Sequence, residues 1–154
     1  MFFIDDENNI TEKDIQILYQ THPYLIEQQF LNQKTVPQYS LPSGYADIVI
    51  FLNEEIVVIE LKVESLNNSH LLQLNEYLED IYQEFGDIKR IRGILIGKEP
   101  MHSLETSIRS LNFEIKILIL EDDICTEIKI CNNCRLANNI NNFSCFNCSY
   151  DSFF

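Results

Sequence analysis

Gly44-Tyr45-Ala46-Asp47-Ile48-Val49-Ile50-Phe51-Leu52-Asn53-Glu54-Glu55-Ile56-Val57-Val58-Ile59-Glu60-Leu61-Lys62 reads as two apolar strands joined by a turn at Asn53-Glu54. If Leu52 pairs with Glu55 across the turn, stepping outwards sets Asp47 opposite Glu60. Cross-strand partners share a face of the sheet. Two carboxylates directly opposite one another destabilise a hairpin, so such a pair persists most easily around a cation or a shared proton. Lys62 joins that face, while Ile48, Ile50, Val57, Ile59 and Leu61 fall on the other.

Glu-x-Lys on an exposed strand is usually a solvated ion pair worth about 0.2–1 kcal/mol. Here Val57-Val58-Ile59 reads as buried on both faces, and charges at the end of a buried strand are costly unless used. Asp, Glu and Lys meeting on one edge of an apolar hairpin is the arrangement that metal-dependent phosphodiester hydrolysis requires.

Working outwards, the order of elements is α/β. Thr11 with Asp14 predicts a helix reaching about Gln20, with Ile15, Leu18 and Tyr19 on its apolar side. Residues 34–44, with Pro37, Pro42 and Gly44, read as a loop before the hairpin at 45–63. Asn67-Asn68-Ser69 caps a long helix in which Leu71, Leu74, Leu78, Ile81, Tyr82 and Phe85 recur at helical spacing until Gly86. Arg90–Gly97 reads as a strand. Pro100 opens a third helix carrying Leu104, Ile108 and Leu111, and Phe113–Leu120 alternates as a last strand before Glu121-Asp122-Asp123. The domains expected are 1–123 and 124–154.

The chain has 154 residues, 45% of them apolar, enough for one ordinary domain with a small appendage. No stretch approaches the roughly 18 apolar residues of a membrane span, and Met1-Phe2-Phe3-Ile4-Asp5-Asp6-Glu7 lacks the basic start of a secretory signal. A cytoplasmic protein without a membrane partner is expected. The net charge of −13 opposes non-specific phosphate binding, but the acidity is local. Residues 1–85 hold fifteen acids against three bases, residues 86–123 seven against six. Lys89, Arg90, Arg92 and Lys98 form the one basic cluster, read either as a nucleic-acid-binding surface or as the gatekeeping charges of a solvated strand edge.

Gln73 and Tyr77 are neighbours on the long helix, by themselves a flanking polar residue and a core aromatic. Taken together, Gly44-x-x-Asp47, Val57-Val58-Ile59-Glu60-Leu61-Lys62 and Gln73-x-x-x-Tyr77 resemble the core of the PD-(D/E)XK nuclease superfamily, most closely the nuclease domain of NucS-type endonucleases. Glu12-x-Asp14-Ile15 and His22-Pro23-x-Leu25-Ile26-Glu27 resemble that family's first helix and following turn. Ile91-Arg92-Gly93-Ile94-Leu95-Ile96 and Leu111-Asn112-Phe113-Glu114 resemble its later strand and helix exit. The similarity covers about residues 11–120 and does not extend to the DNA-binding region that precedes the nuclease domain in NucS.

The resemblance implies a restriction-endonuclease-like mixed sheet flanked by helices. It also implies that Asp47 and Glu60 bind Mg²⁺ or Mn²⁺, with the Leu61 carbonyl as a further ligand. By the same carry-over Lys62 orients the attacking water or neutralises charge on phosphate, and Gln73 holds that lysine or the water. Tyr77 supports the helix, and Glu12 completes the acidic cluster with Glu27 in reserve. Hard oxygen ligands suit these ions. His22, His70 and His102 lie outside the motif, so no histidine base is indicated.

Cys131-x-x-Cys134 and Cys145-x-x-Cys148 supply four thiolates at the spacing of a structural Zn²⁺ site. In a reducing compartment zinc is favoured over disulfides, and so few apolar residues surround the site that the ion must supply the folding free energy. Cys125 is left over, a buried or free thiol. The positions of the cysteines and Asn138 resemble a Ran-binding-protein-type finger, although Lys129 stands where that family carries tryptophan; a four-cysteine zinc ribbon is the expectation. Phe143, Phe146 and Tyr150 read either as base-stacking aromatics or as the module's own small core. Asn147 with Tyr150-x-x-Phe153-Phe154 faintly resembles a sliding-clamp-binding tail.

Two function classes follow. One is a metal-dependent DNA endonuclease, from which an RNA-directed enzyme is not separable by sequence because no residue recognisably reads a 2′-OH. The alternative is a nuclease-fold nucleic-acid-binding or regulatory protein, inactive alone and acting through a partner. Cutting both strands of a duplex needs two sites, which makes a homodimer the natural assembly for the first.

Overall fold

Strand β3, Glu55–Ser65, is the hub of the molecule, pairing antiparallel with one neighbour and parallel with the other. A computed structural model describes residues 11–120, 128–139 and 142–153. Among these, strands β1 (Lys34–Leu41), β2 (Gly44–Phe51), β3, β4 (Arg90–Lys98) and β5 (Glu114–Ile119) form one sheet in sequence order. The first two pairings are antiparallel and the last two parallel. A second sheet pairs the short strands β6 (Ile128–Ile130) and β7 (Ala137–Asn139).

The hairpin register is the expected one: Ile48 faces Ile59, Val49 faces Val58, and the Leu52 N–H donates to the Glu55 carbonyl across the turn. Both faces of the sheet are covered. On one, Leu71, Leu74, Leu78 and Ile81 of helix α2 (Asn68–Phe85) pack against Val49, Ile56, Val58 and Leu95. On the other, Ile15 and Leu18 of helix α1 (Glu12–Thr21), with Phe30, pack against Ile48, Ile50, Val57, Ile59 and Ile94. Burial on both faces accounts for the continuous aliphatic runs of β3 and β4. Gly93 admits α2 closely, since a Cβ there would lie 3.0–3.1 Å from Leu78 and Leu74.

The helix starts follow local chemistry. Thr11 and Asp14 form a capping box on α1, and Asn67 with His70 forms one on α2, which ends at Gly86. Two expectations fail. Residues 34–41, read as loop, form β1, because an edge strand tolerates Pro37 and its missing N–H. The third helix, α3, covers only Glu105–Arg109; Leu104 is its N-cap and Leu111 lies beyond its end. No helix among the described residues is long and apolar enough to cross a membrane. Cys125, the Glu121-Asp122-Asp123 break and Phe154 lie outside the described residues.

Candidate active site and cysteine centre

β2 and β3 stop pairing just before Asp47 and Glu60. Ile48 with Ile59 is the last ladder pair at this end, and beyond it the two carboxylates take over the backbone hydrogen bonds. The Asp47 N–H donates to Glu60 Oε1 at 2.9 Å, and the Leu61 N–H donates to Asp47 Oδ2 at 2.8 Å. Each acid is thereby held by the strand opposite its own. Glu60 is only 2% exposed, and burial together with the Asp47 charge pushes its carboxyl up to about 8. Burial also raises Asp47, against the Leu61 N–H and the Lys62 charge, which lower it. At neutral pH such a pair carries a proton, or a cation in its stead. Hard oxygen donors converging from two strands, Glu60 buried and Asp47 half-buried, fit Mg²⁺ or Mn²⁺.

Lys62 lies close enough for its charge to favour ionisation of both acids. Glu12, in the first turn of α1, adds negative charge against Asp47. From α2, Tyr77 brings its hydroxyl towards the pair; burial and the charges of Glu60 and Asp47 raise it. Gly44 makes room for that hydroxyl: its φ is +145°, and a Cβ would lie 2.9 Å from the tyrosine oxygen. The Gln73 side chain is a hydrogen-bond partner of the Tyr77 hydroxyl, one turn along α2, and lowers it.

Two glutamines that sequence reasoning missed also touch Asp47. Gln16 of α1 donates from Nε2 to the Asp47 carbonyl at 3.3 Å. Gln38 of β1 donates from Nε2 to Gln16 Oε1 at 2.9 Å and lies 3.5 Å from Asp47 Oδ1. Reading 34–44 as a loop leaves Asp47 without a neighbouring strand on its β1 side, so the sequence offers no signal for Gln38.

The expected basic cluster is not one surface. Arg92 is buried, its guanidinium forked onto Glu27 at 2.7 and 2.9 Å and bonded to Glu55 at 3.0 Å. Burial alone would raise Glu27, but the Arg92 hydrogen bonds hold it below its ordinary value, and Lys116 adds a contact at 3.6 Å. Glu27 is therefore committed elsewhere and does not serve as the reserve acid. Lys89 donates to the Leu52 carbonyl, and Arg90 pairs with Glu114. Arg90 lies opposite Glu55 and Leu95 opposite Glu60, a separation of about 17 Å along the strand. Lys98 sits at the other end of β4, beside Ser65. The histidines stay out of the site: His70 caps α2 and pairs with Glu64 at 3.0 Å, and His22 bonds the Tyr24 hydroxyl.

At the C-terminal end, the sulfurs of Cys131, Cys134, Cys145 and Cys148 all lie within 4.8 Å of one another. Cys131 to Cys148 is 3.6 Å and Cys134 to Cys145 is 3.5 Å. Tetrahedral zinc with Zn–S bonds of about 2.3 Å sets sulfurs about 3.8 Å apart, so the cluster matches a zinc ribbon. The N–H groups of Asn133 and Asn147 point to Cys131 and Cys145, two residues back in each knuckle. Burial would raise Cys145, but backbone N–H groups, the Asn138 amide and the Cys134 thiol bring it down, while the same contact with Cys145 helps push Cys134 up, so the two sulfurs share a proton between them. Asn138, fully buried, also accepts from the Phe146 N–H at 2.9 Å and ties the knuckles together.

Of the module's aromatics, Phe146 stacks on Tyr24 at 5.0 Å, while Phe143 is 95% exposed. Tyr24 also accepts the Ala137 N–H at 3.0 Å, which docks the cysteine module on the turn that follows α1. In the segment that faintly resembles a sliding-clamp-binding tail, Phe153 bridges to Cys131 and lies under the Lys129 ammonium, 4.0 Å from ring centre.

The family model described as the endonuclease NucS C-terminal domain matches residues 11–133, from the α1 cap through β5 and into the first cysteine knuckle. The chain belongs to this family. Among solved structures, the EndoMS–dsDNA2 complex shares 22% identity at a TM-score of 0.58, covering 75% of this chain and 49% of that one. A repair endonuclease from Pyrococcus abyssi shares 21% identity at a TM-score of 0.58, covering 72% and 48%. EndoMS in its apo form shares 22% at 0.54, covering 73% and 48%. At these identities the likeness is one of fold, and the chain spans about half the length of each relative. No curated protein sequence gives a significant match. Within the NucS C-terminal domain, the acids of the site come from α1, β2 and β3, and the two glutamines from α1 and β1.

Proposed function

We propose that this chain is a divalent-cation-dependent DNA endonuclease of PD-(D/E)XK type, with its site at Asp47, Glu60 and Lys62. The observation that carries this reading is the crossed pair of carboxylates, each bonded to the opposite strand's backbone, with Glu60 buried, Asp47 half-buried and the Lys62 charge acting on both. Asp47 and Glu60 would hold Mg²⁺ or Mn²⁺, with the Leu61 carbonyl and Glu12 as neighbouring oxygen donors. The ion, when bound, supplies Lewis-acid charge at the phosphate and acidifies water near neutral pH. Lys62 orients the attacking water and offsets charge developing on the phosphate oxygens. Tyr77, fixed by Gln73, holds α2 against the pair. The cysteine module, expected over 124–154, serves as a zinc-held handle for substrate or partner, and two copies would serve the two strands of a duplex.

The test is cleavage of labelled linear, forked, mismatched and single-stranded DNA, and of RNA, with Mg²⁺ or Mn²⁺, by zinc-loaded protein. Lys62→Ala is expected to lower the rate about 10²- to 10⁴-fold with the fold intact. A second reading, action only with a partner, rests on the burial of Arg92 and on the engagement of Lys89 and Arg90, which tie three members of the expected basic cluster to groups of this chain. A folded, zinc-loaded protein that cuts none of these substrates would establish that second reading over the first.

A further inference from the structure

Gln38 occupies the one interior position at which the β1/β2 ladder lapses. Pro37 pairs with Ile48 and Tyr39 with Ala46, but Gln38 and Asp47, directly opposite between them, do not pair. The backbone of Gln38 is left-handed, with φ of 49°, a conformation that glutamine rarely adopts. The distortion is shared by the strand opposite. Ala46 packs in the cluster beneath α2 and Ile48 in the cluster beneath α1, so the alternation of faces along β2 breaks at Asp47. A left-handed, non-glycine residue in mid-strand is strained, and such strain persists where surrounding structure holds it for a purpose.

What the distortion achieves is visible at Asp47. Its carbonyl accepts from Gln16 Nε2, Oδ2 accepts from the Leu61 N–H, and, among the described residues, the hydrogen-bond partner of Oδ1 is the Gln38 amide, at 3.5 Å. Gln38 is in turn aimed by Gln16 Oε1 at 2.9 Å. Resting on the carboxylate reading above, we propose that Gln16 and Gln38 are positioning residues that fix the rotamer of Asp47 and present Oδ1 to the divalent cation. The pair links α1 and the edge strand to a ligand on β2. A carboxylate with one oxygen bonded to backbone and the other steadied by a neutral amide keeps a lone pair for a metal without a competing charge. The amide would act as an outer hydrogen-bond partner of the ligand, and loss of such partners costs metal affinity more than it costs the fold.

The experiment is calorimetric titration of Mn²⁺ into zinc-loaded protein without nucleic acid, with thermal midpoints measured alongside. Wild type, Asp47→Asn, Gln38→Gly and Gln16→Met are compared. Wild type is expected to bind Mn²⁺ and Asp47→Asn to lose it, while Gln38→Gly and Gln16→Met weaken binding about tenfold. Gln38→Gly should melt no lower than wild type, because glycine takes a positive φ freely. That combination, weaker cation binding without loss of stability, is one that a merely structural glutamine would not give. Unchanged Mn²⁺ affinity in Gln38→Gly overturns the positioning role and leaves the carboxylate site standing. Weaker binding with a lowered midpoint also overturns it, assigning Gln38 to the fold. A wild type that binds no Mn²⁺ overturns both readings.

Discussion

In the five-stranded sheet, Ile, Val and Leu side chains fill two layers, one beneath α1 and one beneath α2, and nearly every residue of β4 is buried. In the cysteine module the residues buried among those described are Cys131, Ala137, Asn138 and Cys145: two thiols, one methyl group and one amide. The sheet is held by apolar area withdrawn from water, at about 25 cal/mol per Å². Among its described residues the module withdraws little apolar area, and the four-sulfur cluster and the hydrogen bonds of Asn138 lie at its centre. Two short pieces of chain in one molecule thus reach order by different means, and they should fail under different conditions.

The sharpest separation is metal removal. Structural zinc contributes about 10–16 kcal/mol to small domains of this kind, so chelation should unfold residues 128–153 while the sheet stays folded. Amide exchange resolved by region checks this; simultaneous loss of protection in β3 would dissolve the distinction. The converse perturbation is Leu74→Ala, which opens a cavity beneath α2 where the side chain is fully buried. It should cost about 2–5 kcal/mol in chemical denaturation and leave zinc stoichiometry unchanged.

A smaller effect comes from a buried acid of the sheet. Glu60 titrates at about 8 in the folded chain against an ordinary value of 4.5, so the folded state favours its protonated form. Stability from this source is complete below about pH 4.5 and is lost as pH rises through 8. In buffer free of Mg²⁺ and Mn²⁺, with zinc retained, Glu60→Gln should gain on the order of 2 kcal/mol at pH 8.5 and little at pH 4.5. Thermal midpoints across that range test the sign; a variant less stable than wild type at pH 8.5 would refute it. The least change is expected at the seam between the regions. Tyr24→Phe removes the hydroxyl that accepts the Ala137 N–H, and should loosen docking by about 1 kcal/mol without releasing zinc. Faster exchange at Ala137 alone is the signature.

What could be read along the chain was what depends on neighbours in sequence. The Asn53-Glu54 turn set the hairpin register because antiparallel pairing propagates outwards from a short turn, and Asp47 met Glu60 as that register requires. Thr11 with Asp14, Asn67 and Gly86 announced helix ends, since caps satisfy backbone groups within a single turn. The Cys-x-x-Cys pairs announced a four-sulfur cluster for the same reason of short range. Only the tertiary structure decided the rest. Pro37 looked like a loop residue until β1 took an edge, where a missing N–H costs no ladder bond. Arg92 looked like a phosphate ligand until Glu27 and Glu55, 65 and 37 residues away, closed on it. Gln16 and Gln38 had no visible role until α1 and β1 converged on Asp47. Periodicity and capping are local energies and so are written in order along the sequence, whereas the partner of a buried charge is chosen by which distant segments the packed sheet brings together.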